Sequence, residues 1–158
     1  MGTTSIKGLP NLTDTTNDVN RLDAAVGETC QVGGTVYQYV KASAAIAQYA
    51  FVKISSDGNY TAQEMTTTTN PSTEPAKVGC AQVAIASGYY GWVAIKGYFT
   101  GKFAASCVQA VKIYTTGTAG VVDDSATTLV NGLMLITTIT SATSAPCFAS
   151  CEMTTVAA

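Results

Sequence analysis

The chain contains no histidine, so there is no imidazole base, and acid–base chemistry would have to come from carboxylates. Asp123 and Asp124 form the only adjacent acidic pair, and Asp57, Glu64 and Glu74 fall where loops could carry them to a cleft. A glycosidase sets two carboxylates across the scissile bond, and the oxygens of Asp123-Asp124 would also suit calcium. Neighbours on a strand, however, point to opposite faces, so a solvated turn is the expected reading of that pair. Cys147-x-x-x-Cys151 offers two thiolates, but the spacing is not the C-x-x-C of zinc sites and no imidazole completes a ligand set. Strand positions four apart share a face, so shared burial is expected of these two. Cys30, Cys80, Cys107, Cys147 and Cys151 are odd in number and dispersed, which predicts reduced thiols rather than a disulfide framework. The stretch 117–120 lacks the lysine of a phosphate loop. No catalytic residue, metal or cofactor is expected.

Eight tyrosines and one tryptophan could build a sugar-binding platform, since rings present apolar faces with a polar handle. Tyr37, Tyr39, Tyr49, Tyr89, Tyr90 and Tyr98 are nevertheless spread among separate segments, as a core and its rim would have them. Composition points to what positions these groups. Charged residues are 11% of the 158, against about 25% in an average soluble domain. Threonine fills about one position in six, and β-branched residues suit strands. An all-β single domain follows, long enough to bury about 68–70% of its unfolded surface. A net charge of −2 gives no electrostatic footprint for nucleic acid or anionic lipid. No run of about 18 apolar residues could span a bilayer. Neither nucleic acid nor membrane is expected as a partner.

Residues 1–28 read as an N-terminal arm. They lack the apolar core of a secretory signal, so export by that route is not expected. Ile6, Leu9 and Leu12 recur every three residues and could seat in apolar grooves of a neighbouring subunit or a shell. Val19, Leu22 and Val26, closed by Gly27, permit a short helix. The β-domain covers 29–158. Asp57-Gly58 is a hairpin turn signal, 66–75 reads as an exposed Thr/Pro loop, and Asn131-Gly132 is the strongest hairpin signal, separating strands at 127–130 and 133–139. Residues 107–114 read as a strand, and a last strand follows Pro146. Nine to eleven short strands predict one β-sandwich or barrel-like domain, of jelly-roll or β-tulip type.

Residues 77–97 read as two strands hinged at Ser87-Gly88, with Tyr90, Trp92 and Ala94 on one face and Val93 and Ile95 on the other. The run Tyr90-Gly91-Trp92-Val93 resembles the central signature of the capsid decoration, or cement, proteins of tailed bacteriophages. The order of segments from about Val36 to the C-terminus is similar to that family: Ile54-Ser-Ser-Asp-Gly58, Gly79-Cys-Ala-Gln-Val-Ala-Ile-Ala86 and Thr118-Ala-Gly-Val121 fall in its sequence of turns. The resemblance implies a non-enzymatic virion protein, assembled in the host cytoplasm, that binds the major capsid protein on the outer surface of the capsid and stabilises the shell, commonly as a trimer. The alternative is a carbohydrate- or receptor-binding β-module of a tail fibre or adhesin. Tyr90, Gly91, Trp92 and Val93 are expected to be a structural hairpin, with Trp92 packed.

Overall fold

The computed structural model describes residues 10–22, 24–69, 75–125 and 127–156. They form ten strands: β1 (Thr29–Val32), β2 (Thr35–Ala42), β3 (Phe51–Ile54), β4 (Thr61–Glu64), β5 (Lys77–Ala81), β6 (Tyr90–Phe103), β7 (Ile113–Thr115), β8 (Val122–Asp123), β9 (Leu129–Leu135) and β10 (Thr143–Val156). The protein is all-β, as composition predicts, and the strands join in one mixed sheet.

That sheet closes on itself twice. β2 pairs with β4 in parallel, and β4 with β3, β3 with β5, β5 with β6 and β6 with β2 are antiparallel. The C-terminal half of β6 then opens a second ring of the same sense. β6 pairs with β8 in parallel, and β8 with β7, β7 with β9, β9 with β10 and β10 with β6 are antiparallel. The chain therefore builds the same five-stranded barrel twice, and the 14-residue β6 is the last strand of the first and the first strand of the second. Of the forms expected, the barrel is the one that the pairing closes.

Each barrel is tied by a pair of crossing corners. In the first, residues 43–50 and 82–89 meet where Ile46 N donates to Ile85 O at 2.8 Å and Ile85 N donates back at 2.9 Å. Tyr49 N donates to Ala81 O, and Gly88 N to Ala42 O. In the second barrel Ala110 N donates to Leu135 O and Ile139 N to Cys107 O, both at 3.1 Å, so Cys107 and Ile139 stand where Ile46 and Ile85 stand in the first. These central side chains are apolar because they plug a barrel end. Ile46, Ile85 and Cys107 are buried, and Ile139 packs against the second core.

The two cores differ in kind. The first is aliphatic, built on Val40, Ile46, Val52, Ile54, Ile85, Val93 and Ile95. The second cluster has more residues and carries Phe99, Phe103, Leu133, Leu135 and Met153, with Phe51 reaching in from β3. Phe51 meets Phe99 and Phe103 edge-on, at ring separations of 6.2 and 5.8 Å, a favoured aromatic geometry. Between the barrels β6 must turn sharply. Gly97 does this at φ 95°, and a Cβ there would strike Gly34 O, so the position needs glycine.

Several sequence expectations change. Among the described residues no helix forms at 17–22 or 24–26: Arg21 N closes a turn on Asp18 O, and Asp18 Oδ1 takes the N–H of Asn20 at 2.9 Å. Asp and Asn side chains there compete for backbone groups that a helix would use. Asn131-Gly132 is not a hairpin. Both lie inside β9, where Gly132 at φ 84° accommodates the register shift between Ala149 and Thr154 of β10, a bulge where a turn was expected. Of the expected strand at 107–114 only Ile113 and Tyr114 are in a strand, β7, because Cys107 belongs to a corner. Pro146 lies within β10, which begins at Thr143. The Asp57-Gly58 turn does join β3 to β4, with Ile54 opposite Ala62.

Candidate functional site

Sequence reasoning singled out the hairpin Tyr90-Gly91-Trp92-Val93, and the structure places its residues on both sides of one wall. Val93 points into the first barrel core. Trp92 points outward yet is only 2% exposed, because residues of the segments 10–22 and 24–28 lie over it. Leu12, Leu22 and Ala24 join Tyr39, Trp92 and Tyr90 in a third apolar cluster on that outer face. Tyr39 stands 5.0 Å from the Trp92 ring and stacks on Tyr90 at 6.2 Å, and the Lys41 ammonium sits 5.5 Å from the Tyr90 centroid. The arm is held by backbone: Tyr90 N donates to Thr16 O at 2.8 Å, and Thr16 N donates to Tyr90 O at 3.2 Å. Gly91 is buried where a Cβ would press on Ile85. Trp92 Nε1 and Gln38 Oε1 are buried without a hydrogen-bond partner, while Gln38 Nε2 donates to Gly27 O.

Leu12 is thus half-buried against its own chain's Trp92 face. Ile6 and Leu9 lie outside the described residues.

The carboxylates have structural partners. Glu64 Oε1 accepts the N–H of Ala47 at 2.7 Å, and Asp124 Oδ2 accepts the N–H of Val108 at 2.9 Å. Each is the residue that follows a corner's central Ile46 or Cys107, so the two bonds are the same bond in successive barrels. Asp57 accepts from Ser55 Oγ, Asn59 N and Asn59 Nδ2, which hold its pKa down to about 2. Glu74 lies outside the described residues. Asp123 and Asp124 were expected to diverge, but β8 ends at Asp123, and oxygens of both lie within 4.8 Å of each other and of Cys107 Sγ. Asp123 Oδ1 accepts the N–H of Asp124. Burial first, then the charges of Asp124 and Asp123, raise the Cys107 thiol to about 11. This keeps it protonated at neutral pH.

All five cysteines are free thiols. Cys80 and Cys147 are buried, and desolvation pushes both pKa values up. Cys147 and Cys151 do not share burial, because the register of β10 shifts between Ala149 and Thr154, and Cys151 lies in that irregular stretch, exposed.

One surface feature was missed. Tyr98 is 64% exposed, and its ring lies 4.6 Å from Phe148. Phe148 pairs with Tyr98 on one side and Met134 on the other, so the three form a row across β6, β10 and β9. The signal was hidden in pairing between residues 50 and 14 positions apart, which single-strand alternation does not show. The corner repeat did leave a trace, Ala42-x-x-Ala45-Ile46-Ala47 and Ala81-x-x-Ala84-Ile85-Ala86. No family model, curated protein or solved structure matches the chain.

Proposed function

We propose that this protein is a structural, non-enzymatic component of a phage virion, a cement protein that binds the outer surface of the capsid through the major capsid protein and stabilises the shell as a trimer. The resemblance around Tyr90-Gly91-Trp92-Val93 motivates the reading. The observation that carries it is the use of the carboxylates: Glu64 and Asp124, two of the groups a hydrolase would need, each lock a barrel corner through a backbone N–H. Side chains committed in this way make a rigid body suited to bearing load on a lattice. Exposed Tyr98 beside Phe148 is the feature that a glycan-binding module would use instead.

The test is addition of the purified protein to undecorated heads. Many copies per head, with a raised temperature of genome release, are expected. Retention on host glycans without head binding would replace this reading with the adhesin one.

A further inference from the structure

The two barrels match position by position, and at one end they differ. Ser43 N donates to Ala62 O as Ala104 N donates to Val122 O, and Ala42 N donates to Tyr89 O where Phe103 pairs with Thr143. Ala42, Ala62 and Tyr89 of the first barrel therefore correspond to Phe103, Val122 and Thr143 of the second. Tyr60, two residues before Ala62, corresponds to Gly120, and both are left-handed, at φ 50° and 70°. In the first barrel Tyr60 and Tyr89 are partly buried and pack on the aliphatic core. The second has no ring at either place. It has instead a pocket of about 310 Å³, whose lining includes Lys102, Phe103, Ala104, Val121, Ala142 and Thr143. Ala104 and Val121 stand where the first barrel has Ser43 and Thr61, so this lining is apolar where its counterpart carries hydroxyls. It holds one cation and no carboxylate, and the Lys102 ammonium makes no ion pair or hydrogen bond among the described residues.

We infer that this pocket binds an aromatic side chain of another protein, a tyrosine or phenylalanine with a carboxylate next to it. The inference stands apart from the proposed shell binding. The ring follows from the fold: tyrosines occupy the corresponding places in the first barrel, and Phe103 brings to the lining a ring on which another can pack. An apolar void of about 150 Å³ takes a benzene ring, so this pocket has room for one ring and the groups beside it. Apolar walls with a single placed polar group are the usual make-up of a binding pocket. The carboxylate follows from Lys102, a cation with no partner of its own, to which an anion makes a charge-assisted hydrogen bond. The rings at the corresponding places belong to a polypeptide, which favours a protein side chain over a free aromatic acid.

Titration of the full chain with the capped peptide Gly-Glu-Tyr-Gly, followed by amide NMR at millimolar peptide, tests this. Saturable shifts are expected at Phe103, Ala104, Val121 and Thr143. The peptides Gly-Lys-Tyr-Gly and Gly-Glu-Leu-Gly should bind at least tenfold more weakly, and Lys102→Gln should remove the preference for Glu over Lys. Thr143→Tyr places the first barrel's residue at the corresponding position, so it should fill the pocket and weaken peptide binding at least tenfold. Circular dichroism checks each fold, and Ala105→Trp, at an exposed position of the same lining, serves if Thr143→Tyr unfolds. Absence of saturable shifts at these amides overturns the inference. So does equal binding of the Glu and Lys peptides, or binding by a folded pocket-filling variant that matches the parent. 3-(4-Hydroxyphenyl)propionate that binds where the peptide does not assigns the pocket to a free aromatic acid and overturns the protein occupant.

Discussion

Glu64 and Asp124 make one interaction in two places: each carboxylate takes the N–H of the residue after a buried corner centre, Ala47 at 2.7 Å and Val108 at 2.9 Å. A corner leaves backbone donors that no ladder satisfies, and unpaired donors cost free energy when water is excluded. Glu64→Ala and Asp124→Ala are each expected to destabilise by about 1–3 kcal/mol, with Glu64→Gln and Asp124→Asn losing less because an acceptor remains. Chemical denaturation measures this. A double variant whose loss departs clearly from the sum would contradict two independent corners.

Trp92 supplies the central ring of the arm-covered face. Trp92→Ala should cost about 3–5 kcal/mol, as for other buried large aromatics. Trp92→Phe should cost far less, since Nε1 has no partner to lose. Thermal melts decide, and a Trp92→Ala variant that melts with the parent would remove the ring from the core.

Deleting residues 1–16 removes Leu12 and the paired hydrogen bonds between Thr16 and Tyr90. Both barrels should remain folded by circular dichroism, while the single tryptophan becomes wetted and its emission moves to longer wavelength. Unchanged emission would mean that the arm does not cover Trp92 in solution.

Thiol reactivity should follow burial. Under native conditions iodoacetamide should modify exposed Cys151 first, and Cys80, Cys107 and Cys147 only as the fold opens. Peptide mapping over time reads the order. Two intact disulfides in non-reducing mass spectra would contradict the free-thiol assignment.

Asp57 gives the pH dependence its sign. Hydrogen bonds from Ser55, then Asn59, lower its folded pKa from 3.8 to about 2. The folded state therefore favours the carboxylate. Its contribution is complete above about pH 4 and is lost as pH falls through about 2. Asp57→Asn should flatten the stability curve in that window alone, and a carboxyl titration by NMR centred near 4 would refute the shift.

Composition and alternation made the all-β class, the Asp57-Gly58 hairpin and the packed Trp92 legible. The duplication was nearly legible, because Ala-x-x-Ala-Ile-Ala occurs at 42–47 and 81–86, but in the second barrel the same corners read Phe103-Ala-Ala-Ser-Cys-Val108 and Leu135-Ile-Thr-Thr-Ile-Thr140. A barrel end needs only a small residue before an apolar plug, so identity drifts while geometry stays. Asn131-Gly132 misled for a related reason: a left-handed glycine serves a bulge as well as a turn, and only the partner strand decides between them. The Tyr98 wall could not be found without the register of β6, β10 and β9.

Because β6 belongs to both barrels, synthesis and closure come in a fixed order. A nascent chain that has released residue 103 holds every strand of the first barrel, and N-terminal units fold while synthesis continues. The second barrel then assembles on an edge that is already ordered. Its later strands meet a template instead of searching for one another, and a ribosome that stalls after β6 leaves that edge bare, open to pairing with another chain.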